Sequence, residues 1–199
     1  MKTVEELQEE LKLVLKKKRF NHSVGVRYTA QSMAMKFGLD IDKAGTAGIL
    51  HDCAKYLSDD KMLSECEKYK LTLSPAEKLK PSLLHAKVGA VYAREFYEVE
   101  DEDVLSAIRW HTTGKPSMSD LDKIIFIADY IEPERKILPR MQEIREMAFT
   151  DLDKTMYLIL DNMISYLEET EKENKKSIDS YTVDAYDFYK DMMERKGGI

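Results

Sequence analysis

Apolar residues recur with helical spacing along almost the whole chain. Val4, Leu7, Leu11, Val14 and Leu15 mark one face of a helix over 3–18. Two further helices are expected over 22–37 and 41–56, separated by Gly38-Leu39-Asp40. The second carries His51-Asp52 directly after the apolar run Ala47-Gly48-Ile49-Leu50. Ser58 reads as the N-cap of a helix over 59–70, followed by a turn at Thr72-Leu73-Ser74-Pro75. Pro81-Ser82 opens a helix reaching Tyr97, and Asp101 opens another that ends near Trp110-His111. Beyond the loop Gly114-Lys115-Pro116-Ser117, Ser119 or Ser117 caps a helix that holds Asp129 and stops at Glu132-Pro133. Helices over 140–149, 151–172 and 182–196 complete the pattern, with the charged stretch 171–176 breaking it. With no repeat, linker or low-complexity tract, residues 1–199 read as one all-α bundle of roughly ten helices.

Composition narrows the class. The chain has only 8 Gly and 5 Pro in 199 residues, which disfavours a turn-rich β fold. Hydrophobic residues make up 43%, enough for a core. No apolar run has the length of a membrane span, and no secretion signal opens the chain, so a cytoplasmic protein without a membrane role is expected. Cys53 and Cys66 then read as reduced thiols. A net charge of −6 speaks against nucleic acid as a partner. The run Lys16-Lys17-Lys18-Arg19 reads as a solvated helix end, with its cations near the negative end of a helix dipole. A homodimer is left open.

The candidate chemistry is a set of six side chains in the order His22, His51-Asp52, His85, His111, Asp129. Each lies in or beside an apolar stretch, where an unpaired polar group is costly. Any one histidine alone is more often a satisfied core or surface residue than a ligand. Together they comprise every histidine of the chain, with two acids, all on expected helices or helix ends. Imidazole and carboxylate donors without thiolate suit Fe, Mn, Co, Ni or Zn. Six donors exceed one tetrahedral site, so they suit two ions with a bridging carboxylate. Lys55, three residues after Asp52, falls on the same face and could meet a phosphate, or could be an ordinary surface lysine. Trp110, Phe126 and the methionines are expected in the core, and Cys53 as a small buried hydrophobe.

The strings Arg19-Phe20-Asn21-His22-Ser23-Val24-Gly25-Val26, Leu50-His51-Asp52-Cys53-Ala54-Lys55, Leu84-His85-Ala86-Lys87-Val88-Gly89-Ala90, Ala107-Ile108-Arg109-Trp110-His111-Thr112-Thr113-Gly114 and Lys123-Ile124-Ile125-Phe126-Ile127-Ala128-Asp129-Tyr130-Ile131-Glu132-Pro133 resemble, in order, the HD-domain metal phosphohydrolases. Within these they are similar to the YqeK-type symmetrical bis(5'-nucleosyl)-tetraphosphatases. The likeness covers about 18–155, with 156–199 as C-terminal helices of the same HD domain. It implies cleavage of diadenosine tetraphosphate to two ADP by attack of a metal-bound hydroxide on phosphorus. It also implies a ligand set in which His22, His51, Asp52 and Asp129 hold one metal and His85 and His111 the other, with Asp52 bridging. Iron is the first expectation, as one or two ions. Asp52, Lys55, His85 and His111 would be catalytic. The dinucleoside polyphosphate, or an ADP-like ligand, would meet His22, Asp52, Lys55, His111, Thr112, Asp129 and Arg135, and Lys176, Ser177, Ile178 and Asp179 of a closing loop. Two departures stand out. Ser180-Tyr181 occupies the place of a family proline, and Lys115 that of an arginine. The alternatives are another nucleotide substrate for the same chemistry, or a non-catalytic nucleotide-binding module.

Overall fold

The computed structural model describes residues 2–170 and 178–197. Among them there is no strand, and eleven α-helices follow in order: α1 Val4–Val14, α2 Lys17–Phe37, α3 Ile41–Leu50, α4 Asp59–Lys68, α5 Pro75–Leu79, α6 His85–Glu95, α7 Glu102–Trp110, α8 Asp120–Ile131, α9 Met141–Met147, α10 Leu152–Thr170 and α11 Ser180–Arg195. A 3-10 turn, Pro81–Leu84, leads into α6. No described helix is long and apolar enough to cross a membrane.

The helix starts follow their local chemistry. Thr3 with Glu6, Ser74 with Glu77 and Ser119 with Asp122 form capping boxes, and the side chains of Asp40, Ser58, Asp101 and Asp179 accept from first-turn amides. Of the two serines considered for α8, Ser119 is the cap.

Helix α3 is the centre of the bundle. Every residue from Ala44 to Leu50 is buried, and α1, α2, α7 and α8 surround it. Small residues permit the close approach of α2. A Cβ on Gly48 would stand 2.9 Å from the Arg27 Cα, which belongs to backbone that cannot yield as a side-chain tip can. Helix α6 packs on α7, and α10 packs on α8, α9 and α11.

Several boundaries differ from the sequence reading. The expected helix over 3–18 is two helices, because Leu15 and Lys16 are extended, with Leu15 buried in the core. Helix α2 therefore begins at Lys17, and no Gly or Pro announces the break. The run Lys16–Arg19 accordingly sits at the N-terminal, positive end of a helix dipole, not at the negative end. The helix expected over 41–56 ends at Leu50, and residues 51–57 tighten into turns with bonds from Cys53 N to Leu50 O, Lys55 N to Asp52 O and Leu57 N to Ala54 O. Helix α5 was not expected, although Ser74-Pro75-Ala76-Glu77 is itself a helix-start signature. Phe126 and Cys53 are buried as expected, whereas Trp110 is half-buried. Its ring meets Tyr181 edge-on with centroids 4.8 Å apart, and the cations of Arg109 and Lys115 lie over it.

Candidate active site

The six expected side chains come from five places in the fold and converge. His22 projects from α2, His51 and Asp52 from the turn after α3, His85 from the start of α6, His111 from the end of α7 and Asp129 from α8. All four histidines and Asp52 are buried. The rings of His22 and His51 are 5.3 Å apart, those of His51 and His111 4.9 Å, and those of His85 and His111 5.0 Å.

Each imidazole has one nitrogen fixed from behind. The Nδ1 of His51 lies 2.8 Å from the Gly48 carbonyl, that of His85 2.6 Å from the Ser82 carbonyl and that of His111 2.7 Å from the Ile108 carbonyl. A carbonyl can only accept, so these Nδ1 atoms carry the hydrogen and Nε2 is left with its lone pair. The Nδ1 of His22 is held by the Glu132 carboxylate at 3.1 Å. This is the outer-partner arrangement that orients histidines as metal ligands. Among the described residues the buried Nε2 of His51 has no hydrogen-bond partner, and that of His22 has only the Asp129 carboxylate beside it. Those of His85 and His111 face each other at 3.1 Å. Two lone pairs at that separation repel unless a cation lies between them, and cis ligands about 2.1 Å from one ion lie about 3 Å apart.

Asp52 looks both ways. Its Oδ1 lies 3.2 Å from His85 Nε2 and 3.8 Å from His111 Nε2. Its Oδ2 lies 3.4 Å from His51 Nε2 and 3.9 Å from His22 Nε2. Asp129 Oδ1 is 2.9 Å from His22 Nε2 and 3.8 Å from His51 Nε2. Among the described residues, His22, His51 and Asp129, and likewise His51, Asp52 and His111, have donor atoms close enough together to share an ion. The donor set therefore fits a transition metal.

Electrostatics favour the ligand form of His111, Asp52 and Asp129, whereas for His51 the pull of Asp52 and Asp129 outweighs burial and raises the pKa, so a metal there would displace a proton. Burial pushes the His111 pKa down to about 3, helped by His51 and His85. Burial alone would raise the two carboxylates. For Asp129 the contacts with His22, His51 and Arg135 outweigh it, and for Asp52 those with His51 and His85, so both are held well below the usual carboxylate range. Burial, with Arg19 and Arg135 nearby, also pushes the Lys55 ammonium down, against the pull of Asp52.

A cleft of about 300 Å³ opens on this cluster, lined by Asp52, Lys55, His85, His111, Thr112, Asp129 and Arg135 among others. Lys55 Nζ lies 3.0 Å and 3.3 Å from the ring nitrogens of His85. Thr112 Oγ1 stands 3.1 Å from His85 Nε2 and 3.0 Å from His111 Nε2, and Arg135 pairs with Asp129 at 3.4 Å. Ile178 and Asp179 do not line this cleft. Asp179 is buried, caps α11 and accepts from Ser74 Oγ at 2.6 Å. Lys176 and Ser177 lie outside the described residues.

Four participants escaped the sequence reading. Arg19, counted there as part of a solvated basic run, pairs with Asp52 and lines the cleft. Its place three residues before His22, on the same helix face, was the available signal. Glu132, which orients His22, could have been suspected as an acid closing an apolar helix. It is held in place as Arg145 donates to the carbonyls of Ile131 and Glu132 at 3.0 Å each. Tyr130 and Met163 line the cleft beside Phe126, and no local pattern distinguishes them from core residues.

The chain is similar to proteins of a known family. The family described as "HD domain" matches residues 19–134. A protein of Halalkalibacterium halodurans, named bis(5'-nucleosyl)-tetraphosphatase, symmetrical, is 45% identical over 149 residues, which is 75% of this chain and 79% of the relative. A protein of the same name from Staphylococcus aureus is 38% identical over 91% of each chain. The crystal structure of a protein from Clostridium acetobutylicum, described as a predicted HD superfamily hydrolase involved in NAD metabolism, superposes with a TM-score of 0.89 at 36% identity, covering 96% of this chain and 99% of that one. Buried histidines with fixed tautomers around a two-faced carboxylate, and this extent of likeness, place the chain in the HD-domain hydrolases and, among them, in the symmetrical bis(5'-nucleosyl)-tetraphosphatase family.

Proposed function

We propose that this protein hydrolyses diadenosine tetraphosphate symmetrically to two ADP, with one or two transition-metal ions, iron first, held by His22, His51, Asp52, His85, His111 and Asp129. The observation that carries the reading is Asp52, whose two oxygens face two different sets of histidine nitrogens. A metal bound there supplies Lewis acidity toward phosphate oxygens and lowers the pKa of water.

The chain's own residues do the rest. Lys55, Arg19 and Arg135 line the cleft with positive charge where phosphate oxygens would lie, and stabilise the charge that builds up as the phosphoanhydride breaks. Because Arg19 and Arg135 are already paired with Asp52 and Asp129, they are positioned before substrate arrives. The Thr112 hydroxyl beside His85 and His111 offers a hydrogen bond to the same phosphate. Phe126, Tyr130 and Met163 supply an apolar wall that excludes water on one side. On this reading residues 1–199 act as one HD domain working in the cytoplasm.

Incubation with diadenosine tetraphosphate in the presence of Fe, Mn or Co, followed by chromatography, tests the proposal. ADP as the only nucleotide product is expected. ATP plus AMP, or an intact dinucleotide alongside rapid hydrolysis of a mononucleotide, overturns it.

A further inference from the structure

A second basin of about 710 Å³ adjoins the ligand cleft. The two share Arg19, Lys55 and Arg135, so a single cationic ridge runs from one into the other. We propose that this basin is the subsite for the departing half of the substrate, the ADP moiety beyond the bond that breaks. The assignment rests on the symmetrical hydrolase reading and adds residues that it leaves without a role.

Space is the first argument. At about 300 Å³ the cleft is at the low end of ligand pockets, and a molecule with two nucleosides joined by four phosphates needs room on both sides of the bond that breaks. The basin lies against His22 and Lys55.

Charge is the second. Lys16, Lys18 and Lys136 line the basin, are exposed, and make no ion pair among the described residues. Lys16 caps α2 and Lys18 lies in its first turn, where no acid is present. Cations at the positive end of a helix dipole oppose helix formation, so helix stability gives no reason for them there. An anion seated between them and Lys136 does. The acids of the lining are Glu132, which is committed to His22 Nδ1 and the Glu134 amide, and Glu134, which is exposed at the rim.

The third argument is the apolar part of the wall. Tyr56 is 47% exposed, so its ring is open to a ligand, and it lines the basin together with Leu15 and Leu138. A flat ring at the edge of a cationic groove suits a nucleobase, which stacks on aromatic faces. Basic side chains for phosphate and a tyrosine with two leucines for the base match the two chemical halves of a nucleotide.

The test compares diadenosine tetraphosphate with adenosine 5'-tetraphosphate, which lacks the second nucleoside, in the metal-loaded enzyme. In the double variant Lys16→Ala, Lys18→Ala, KM for the dinucleotide should rise about tenfold with little change in kcat, as expected when binding is lost equally from ground and transition states. In Tyr56→Ala, KM for the dinucleotide should rise about tenfold more than KM for adenosine tetraphosphate, the scale of one lost base stack. Metal content and melting temperature, measured on each variant, should match the wild type, which separates a subsite effect from misfolding. Unchanged KM in both variants, or an equal rise for both substrates in Tyr56→Ala, overturns the subsite while leaving the hydrolase reading intact. If the wild type itself makes no ADP from the dinucleotide, the hydrolase reading falls and the subsite with it.

Discussion

His85 and His51 approach Asp52 from opposite sides. The Nε2 of His85 lies 3.2 Å from Oδ1, and the Nε2 of His51 lies 3.4 Å from Oδ2. A carboxylate so placed serves two donor sets at once, and its loss should damage both. Asp52→Ala should therefore retain less metal than His85→Ala, by elemental analysis of the purified proteins. Loss of a ligand should exceed the 10–100-fold effect typical of an outer partner, so turnover should fall more than about a hundredfold in each. Turnover in Asp52→Ala within a few-fold of wild type would rule out a bridged pair.

Glu132 sets the orientation of His22 through the 3.1 Å contact at Nδ1. Glu132→Gln keeps the shape but removes the charge, and about 10–100-fold weaker metal binding is expected. Gly25→Ala reaches the same result by another route. Its added Cβ would stand 2.7 Å from Glu132 Oε2 and push the carboxylate aside. Metal titration of both variants should show similar weakening. A Gly25→Ala protein with wild-type metal affinity would show that Glu132 relaxes without cost.

Arg135 lines both cavities and touches a proposed ligand, Asp129, but is not one itself. Arg135→Ala should leave metal content unchanged and lower kcat/KM about tenfold or more, on the scale of one charge-assisted bond. Loss of metal along with activity would instead assign Arg135 to holding Asp129 in place.

Gly48 serves both the fold and the site, since its missing Cβ admits α2 and its carbonyl fixes His51. Gly48→Ala should destabilise the protein by about 1–3 kcal/mol, the usual cost of overpacking, seen as a lower denaturation midpoint. An unchanged midpoint would mean that α2 and α3 can separate freely.

Lys87 and Glu77 form a buried pair at 2.5 Å, and Lys87 also donates to the Thr72 carbonyl at 2.7 Å. Lys87→Met would leave Glu77 without its buried partner, and a loss of about 3–5 kcal/mol is expected. The double variant Lys87→Met, Glu77→Leu should recover part of it, and failure to do so would point to the Thr72 contact, or to the α5 capping box in which Glu77 accepts from the Ser74 amide, as the greater contributor.

Helix identity was legible because it depends on local spacing. The apolar period and the caps at Ser58, Asp101 and Ser119 mark their helices without reference to the rest of the chain. The break at Leu15-Lys16 was not legible, because its cause is the burial of Leu15 in a core built by other helices. Likewise the tight turns over 51–57 carry no Gly or Pro, and arise where His51 and Asp52 turn inward.

By itself the sequence determined the donor types, their order and their placement on helices, since imidazole and carboxylate beside apolar runs must find partners when buried. It could not decide how they pair, because contacts between His22 and Glu132, or Arg19 and Asp52, join residues far apart in the chain. Only the packing of α2, α3, α6, α7 and α8 brings those side chains within a few ångströms, turns the Nε2 atoms of all four histidines toward Asp52, and sets the exposed Lys16 and Lys18 beside the basin.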